Sequence, residues 1–296
     1  MVIISIGGGL GNQMFEYAYY TKLKMMHPEI DIKLDILHTF PSHNGYELKK
    51  IFGVTGEECT KKDIARLSEF YPKDGRMYCF FSLLYRLRRK IGFHKKTFYK
   101  QNDYSEYYDL FFNVDVHKDY YFLGVFANIK YFKGIEDTIK SLYCFPPFTD
   151  SENIKLAEKI VKEVSVSLHV RRGDYITLGI STPSKEYYHK SMRYIENHTK
   201  EKVNYYFFTN DIEYVVNEFS DIENKTIVTC NKGENSYRDM QLMAMCKHNI
   251  IANSTFSFWG AFLNPNIDKI VIAPDLLYTG LNNKFVDNDW VLIKAD

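Results

Sequence analysis

Apolar and polar positions divide the chain into short β-branched runs and longer stretches with helical spacing. Val2 to Ile6 reads as a strand that enters Gly7-Gly-Gly-Leu-Gly11-Asn-Gln-Met-Phe15, and a helical pattern then runs through Lys24. Ile30 to Ile36 alternates as a second strand, and Lys61 to Phe70 has the spacing of a helix begun by Thr60. Tyr120 to Phe126 reads as a strand and Ile129 to Leu142 as a helix. In Cys144-Phe-Pro-Pro-Phe-Thr149 the two prolines stop regular structure and mark a linker.

Beyond the linker, Ser151 reads as the cap of a helix whose Ile154, Ala157, Ile160, Val161 and Val164 fall on one face. Val166, Leu168 and Val170 then alternate with Ser165, Ser167 and His169, which predicts a strand buried mainly on one face. A helix from Pro183 to Glu196 and a strand from Val203 to Thr209 follow, and Asp211 caps a helix to Phe219. Thr226–Thr229, Asn249–Ala252, Lys269–Ala273 and Trp290–Ile293 are the remaining strands, with a helix over Ser236–Lys247. Strands alternating with helices predict βαβ units and a mainly parallel sheet, hence an α/β fold.

Three of these strands end in polar clusters: His169 to Asp174, Asn210-Asp211, and Asn253 to Ser257. In a right-handed parallel sheet all three open on one edge, where ligands of open α/β sheets bind. Arg171 and Arg172 suit an anion such as a diphosphate, because each guanidinium offers a fixed fork of donors and stays charged. A solvated ion-pair cluster of Arg171, Arg172 and Asp174 is the alternative. The glycine turn brings backbone amides to a helix start, and Asn12 and Gln13 add amide donors and acceptors there. It is not a dinucleotide fingerprint, since Asn12 stands where a third glycine belongs, and no Walker spacing is present. Asp239 has two readings. Ser236-x-x-Asp239 has capping-box spacing, and a carboxylate also accepts from both the ring N–H and the exocyclic amine of guanine.

Composition narrows the class. A chain of 296 residues with 45% hydrophobic and 25% charged residues is globular and long enough for one large core or two ordinary ones. A net charge of +1 gives no electrostatic case for nucleic acid. The 24 Tyr and 22 Phe are assigned to packing rather than to sugar faces. Five widely spaced cysteines with no metal-ligand spacing, and no signal-peptide pattern at Met1–Ile6, fit a reducing, cytoplasmic setting without a zinc site. Tyr78 to Lys90 is apolar and then basic. It reads either as a membrane-surface or partner helix, or as a helix packed inward with a snorkelling basic end.

Gly8-Gly-Leu-Gly-Asn-Gln-Met-Phe15, His169-Val-Arg-Arg-Gly-Asp174 and Cys246-Lys-His-Asn-Ile-Ile-Ala-Asn-Ser-Thr-Phe-Ser-Phe-Trp-Gly-Ala-Phe-Leu263 resemble the signature segments of bacterial α-1,2-fucosyltransferases, glycosyltransferase family 11. The resemblance implies a GT-B type fold of two Rossmann-like domains facing a cleft. Residues 1–146 would form an acceptor-side domain and residues 147–296 the GDP-L-fucose-binding domain. It implies inverting transfer of L-fucose from GDP-L-fucose to the 2-hydroxyl of a terminal β-galactoside, carried on an oligosaccharide or glycolipid, without a metal or other cofactor. The setting it implies is carbohydrate biosynthesis such as O-antigen assembly, in the cytoplasm or peripheral to the inner membrane.

Residue by residue, the resemblance, which extends to the protein O-fucosyltransferases, places Gly11 and Asn12 toward the diphosphate and reacting sugar. It sets His169 and Arg171 on the diphosphate, Asp239 on guanine, and Ser254, Thr255 and Phe256 on phosphate and base; Asn210, Asp211 and Asn253 join the donor-binding set. Phe258 and Phe262 stand where the bacterial family usually has tryptophan. Catalysis is assigned to Arg171, which would stabilise charge on the leaving phosphate, with Asn12 and the glycine-turn amides assisting, and His169 joins the catalytic set. Asp174 is either the base for the acceptor hydroxyl or the residue that orients an arginine, and Arg172 either binds or holds the loop. A GT-B transferase using another nucleotide sugar, and a non-catalytic glycan-binding protein, are the alternative functions.

Overall fold

Val2–Ser5 (β1) is buried at all four positions, which explains its continuous apolar run, because a strand covered on both faces has no polar side. The computed structural model that shows this describes residues 1–37, 44–69, 83, 87, 92–275, 286 and 289–296. The segment Tyr78–Lys90 lies, but for two positions, outside the described residues. Two α/β units form, Met1–Cys144 and Phe145–Asp296, so the division falls two residues before the expected boundary.

In the first unit β1 pairs in parallel with Ile32–Asp35 (β2) and with Tyr120–Leu123 (β4), and β4 pairs with Phe98–Lys100 (β3), giving the order β2-β1-β4-β3. The strand expected to reach Phe126 stops at Leu123. Phe126 has a left-handed φ of 52°, its N–H donates to Gln101 Oε1 (2.9 Å), and its ring stacks on Tyr19 at 4.3 Å. Phe111 and Tyr131 meet the same ring edge-on at 5.1 Å, so much of the aromatic content is core here. The single helix expected over Ile129–Leu142 is instead a 3₁₀ turn, Ile129–Tyr131, and a helix, Glu136–Leu142. Gly134 separates them with a φ of 87°, a conformation no helix contains.

The second unit holds Val164–Val170 (β5), Val203–Thr209 (β6), Lys225–Val228 (β7), His248–Ile250 (β8), Val271–Pro274 (β9) and Val291–Ile293 (β10). All are parallel, in the order β10-β9-β8-β5-β6-β7. From β5 the chain builds β6 and β7 on one side, then returns to build β8, β9 and β10 on the other. The order therefore reverses between β5 and β8, a topological switch point outside which ligands of such sheets bind.

The expectation that β5 is buried on one face is corrected: Ser165, Ser167 and His169 are buried as well. Val166, Leu168 and Val170 pack with Tyr187, Tyr188, Met192 and Ile195 of the helix Lys185–Thr199. Their polar neighbours are satisfied inside: Ser165 Oγ donates to Ile160 O (2.8 Å), and Asn249 Nδ2 donates to Ser167 Oγ (2.7 Å). Buried hydroxyls with partners imitate a solvent face in the sequence.

The helix Ser151–Lys162 is capped by Asp150, not Ser151, through the Asn153 N–H at 2.8 Å. Its inward face is Asn153, Ala157 and Ile160, whereas Ile154 and Val161 are 40% and 65% exposed, and Val164 belongs to β5. Asn153 turns inward because its amide bonds Asn231 at 2.8 Å, and this sets the phase of the helix against the apolar count.

Candidate active site

His169 lies one residue before the end of β5, buried, with its carbonyl fixed by the Tyr188 hydroxyl at 2.9 Å. Its Nδ1 has no hydrogen-bond partner among the described residues. Burial, helped by the Arg171 charge, pushes its pKa down to about 3, so the imidazole is neutral at physiological pH. Across the switch point its ring is 5.9 Å from that of Phe256.

The next residues make a network. Arg171 Nη2 donates to Asp174 Oδ2 at 2.7 Å, and Asn210 Nδ2 donates to Asp174 Oδ1 at 3.1 Å. Arg172 turns the other way: its Nε donates to Asp211 Oδ2 (3.3 Å) and its guanidinium lies 3.7 Å from the Tyr214 ring centroid. The alternative that Arg172 holds the loop through an internal ion pair therefore describes its geometry. Arg171 differs, because its Nε is buried without a partner among the described residues. The short helix Gly173–Thr177 that carries Asp174 has too few residues to register in the sequence pattern.

Asn253 follows β8. Its Nδ2 donates to Ser181 O (2.7 Å), and its Oδ1 is buried with no partner among the described residues. Ser254 caps the helix Thr255–Phe262, its Oγ accepting from the Phe256 N–H at 3.3 Å. The positive end of this helix thus starts at the β8 end, next to β5 in the sheet. Phe258 and Phe262 are buried and stacked at 5.7 Å, with Trp259 edge-on to both, so the two phenylalanines are packing residues.

The capping-box reading of Asp239 is corrected. Ser236 has helical dihedrals and makes no side-chain cap to the helix Tyr237–Met245. Asp239 Oδ1 instead accepts from Asn231 Nδ2 (2.8 Å), and Asn231 exchanges amide bonds with Asn153. Desolvation pushes the Asp239 carboxyl up to about 7. Asn231 is absent from the candidates read in the sequence, although it stands just past β7 as a fourth polar strand end.

In the first unit, Gly9 caps the helix Leu10–Met26, so Gly11 and Asn12 lie on its first turn rather than in the loop. Gly8 has a φ of 72°, and a Cβ there would lie 2.7 Å from Asn12 Nδ2. Gln13, expected to face a ligand, is buried and used internally. Its Nε2 donates to Gly8 O (3.0 Å) and Gly45 O (2.7 Å), and its Oε1 accepts from the Glu47 N–H (2.9 Å).

The structure thus brings His169 and Phe256 together, joins Arg171, Asp174 and Asn210, and pairs Arg172 with Asp211. Asp239 belongs to the Asn231 network, and Gly11 and Asn12 to the first unit. Among the described residues no group of three or more His, Cys, Asp or Glu side chains is arranged to hold a metal ion, and no helix is long and apolar enough to cross a membrane.

Residues 86–293 match the family profile described as Glycosyl transferase family 11. The chain is 30% identical, over 97% of its length and 98% of the relative's, to the O-antigen biosynthesis glycosyltransferase WbnK of Escherichia coli. It is 29% identical, over 93% and 91%, to an alpha-1,2-colitosyltransferase of the same species. A crystal structure of the alpha-1,6-fucosyltransferase NodZ soaked with GDP-fucose is 15% identical and aligns over 89% of this chain and 92% of that one, with a TM-score of 0.49. The profile match across most of the chain and the full-length relatives agree: the chain is a glycosyltransferase and belongs to glycosyltransferase family 11.

Proposed function

We propose that the chain transfers L-fucose from GDP-L-fucose to the 2-hydroxyl of a terminal β-galactoside, inverting the anomeric centre. The observation that carries this reading is the edge of the second sheet. At the β5/β8 switch point, a neutral buried imidazole, an arginine with an unpartnered buried Nε and the positive end of a helix stand at neighbouring strand ends. That set suits a diphosphate leaving group. The acceptor hydroxyl oxygen attacks the anomeric carbon as the bond to the β-phosphate breaks, its proton passes to the departing phosphate or to solvent, and negative charge grows on that phosphate during the step. Arg171 and the amides at the start of Thr255–Phe262 stabilise this charge, and charge stabilised in the transition state is what lowers the barrier. Neutral His169 donates a hydrogen bond from whichever ring nitrogen carries its proton. Both oxygens of Asp174 are engaged, by Arg171 and Asn210, which favours the orienting role for this carboxylate over that of base. Asp239 accepts from guanine, with Asn231 holding its other oxygen. No step in this scheme needs a metal.

A second donor has specific support: the relative named alpha-1,2-colitosyltransferase is nearly as similar as the first. GDP-L-fucose, GDP-colitose, GDP-mannose and UDP-galactose should therefore be compared on β1,3- and β1,4-linked galactosides, with product linkage determined by NMR. The reading expects turnover with GDP-L-fucose and an α-1,2 product. Turnover confined to GDP-colitose would replace the donor, and a UDP-sugar preference would remove the guanine site.

A further inference from the structure

We propose that Asn210 is a positioning residue for the reaction, setting the direction of Arg171 through the carboxylate of Asp174 rather than binding the donor. The proposal rests on the reading of Arg171 as the group that meets the leaving phosphate. Asn210 stands just past β6, the strand beside β5, and its amide makes two bonds of opposite kind. Oδ1 accepts from the backbone N–H of Arg172 at 2.9 Å, and Nδ2 donates to Asp174 Oδ1 at 3.1 Å. A primary amide offers an acceptor and a donor on two adjacent atoms, whereas an ionised aspartate only accepts and alanine does neither. The remaining oxygen of Asp174 takes Arg171 Nη2 at 2.7 Å, completing a line from the β6 end to the guanidinium.

Two further features fit this assignment. A Cβ on Gly173 would lie 2.6 Å from Asn210 Nδ2, so glycine at this position leaves the amide its place. Asp211, the next residue, is also fully used inside the protein: Oδ2 holds Arg172 and Oδ1 caps the helix Ile212–Glu218 through the Tyr214 N–H at 3.1 Å. The pair expected to bind donor is thus occupied in fastening the arginine loop. Arg171 and Asp174 are 28% and 42% exposed, and exposed ion pairs contribute only about 0–1 kcal/mol to stability. Direction matters more, because misplacing a catalytic group by about 1 Å costs on the order of 100-fold in rate.

Steady-state kinetics, GDP calorimetry and melting on Arg171→Ala, Asn210→Ala, Gly173→Ala and the Gly173→Ala/Asn210→Ala double variant test this. Asn210→Ala is expected to lower kcat roughly 10- to 100-fold while GDP affinity changes less than about threefold. The melting temperature should stay within roughly 2 °C of the parent. Gly173→Ala should reproduce the kcat loss by displacing the amide, and the double variant should be no slower than Asn210→Ala alone. Multiplying losses in the double variant would overturn the proposal, as would a loss of GDP affinity equal to the loss in kcat. Near-parental turnover in Asn210→Ala beside an inactive Arg171→Ala would overturn it and leave the Arg171 reading intact. Normal turnover in Arg171→Ala would remove that reading itself. If Asn210→Ala does not fold, Gly173→Ala still decides, since it moves the same amide without removing it.

Discussion

Arg171, Arg172, Asp174 and Asn210 at the β5 and β6 ends are partly exposed and bind one another, whereas Asp239, past the β7 end, is desolvated and, among the described residues, accepts a side-chain hydrogen bond from Asn231. The first region holds charges with several screened contacts that fix direction at little energetic stake. The second holds one carboxyl whose burial already opposes its charge, so a ligand that donates N–H groups gains from supplying what the protein withholds. The contrast separates two tasks. On the proposed reading, the arginine loop would govern the rate of bond breaking and Asp239 would govern which nucleotide is bound.

The sharpest way to break that division is Arg171→Ala. It should cost on the order of 100- to 1000-fold in kcat, because a charge-stabilising donor at the leaving group is lost. Affinity for GDP should fall far less. An equal fall in both would place Arg171 in ground-state binding and merge the two tasks.

Asp239→Asn should act the other way, weakening GDP roughly 10- to 100-fold through loss of hydrogen bonds to a charged acceptor, with a small effect on kcat for bound donor. Inosine diphosphate lacks the exocyclic amine and sharpens the test. The parent should prefer GDP to it, and Asp239→Asn should lose most of that preference. An unchanged preference would move guanine recognition elsewhere.

The smallest expected effect is on pH. On the proposed reading, guanine N–H groups need the ionised Asp239, whose pKa burial pushes up to about 7. GDP affinity should therefore rise about tenfold between pH 6 and pH 8 and flatten above. The apoprotein runs opposite. Folded Asp239 holds its proton more tightly than the unfolded chain does, so its stabilising contribution is full below about pH 4 and is lost as pH rises through 7. Calorimetric titration across this range and a melting series on the apoprotein measure both, and a flat affinity profile would contradict the assignment.

Much of this architecture was legible in the sequence because it depends on local chemistry. The β-branched runs, the Asp211 cap and the start near Pro183 of the helix Lys185–Thr199 each follow from residues a few positions apart. The three polar strand ends were legible for the same reason, and parallel pairing brought them to one edge. What escaped depends on distant partners. Asn153 faces inward, where Asn231, far along the chain, binds it, and the same Asn231 also donates to Asp239. Ser165 and Ser167 read as a solvent face because Asn249 and the Ile160 carbonyl are not their sequence neighbours. Asn210 and Asp211 were legible as polar strand-end residues, but their bonds to Arg172 and Asp174, on which the loop-fastening proposal rests, join residues far apart in the chain.

A crystal structure with GDP bound tests the central assignment most directly. It should show the diphosphate outside the β5/β8 switch point, within hydrogen-bond reach of Arg171 and the first amides of Thr255–Phe262, with guanine on Asp239 and the Arg171–Asp174–Asn210 line unbroken. GDP bound away from these strand ends, with Arg171 and Asp239 both untouched, would contradict it.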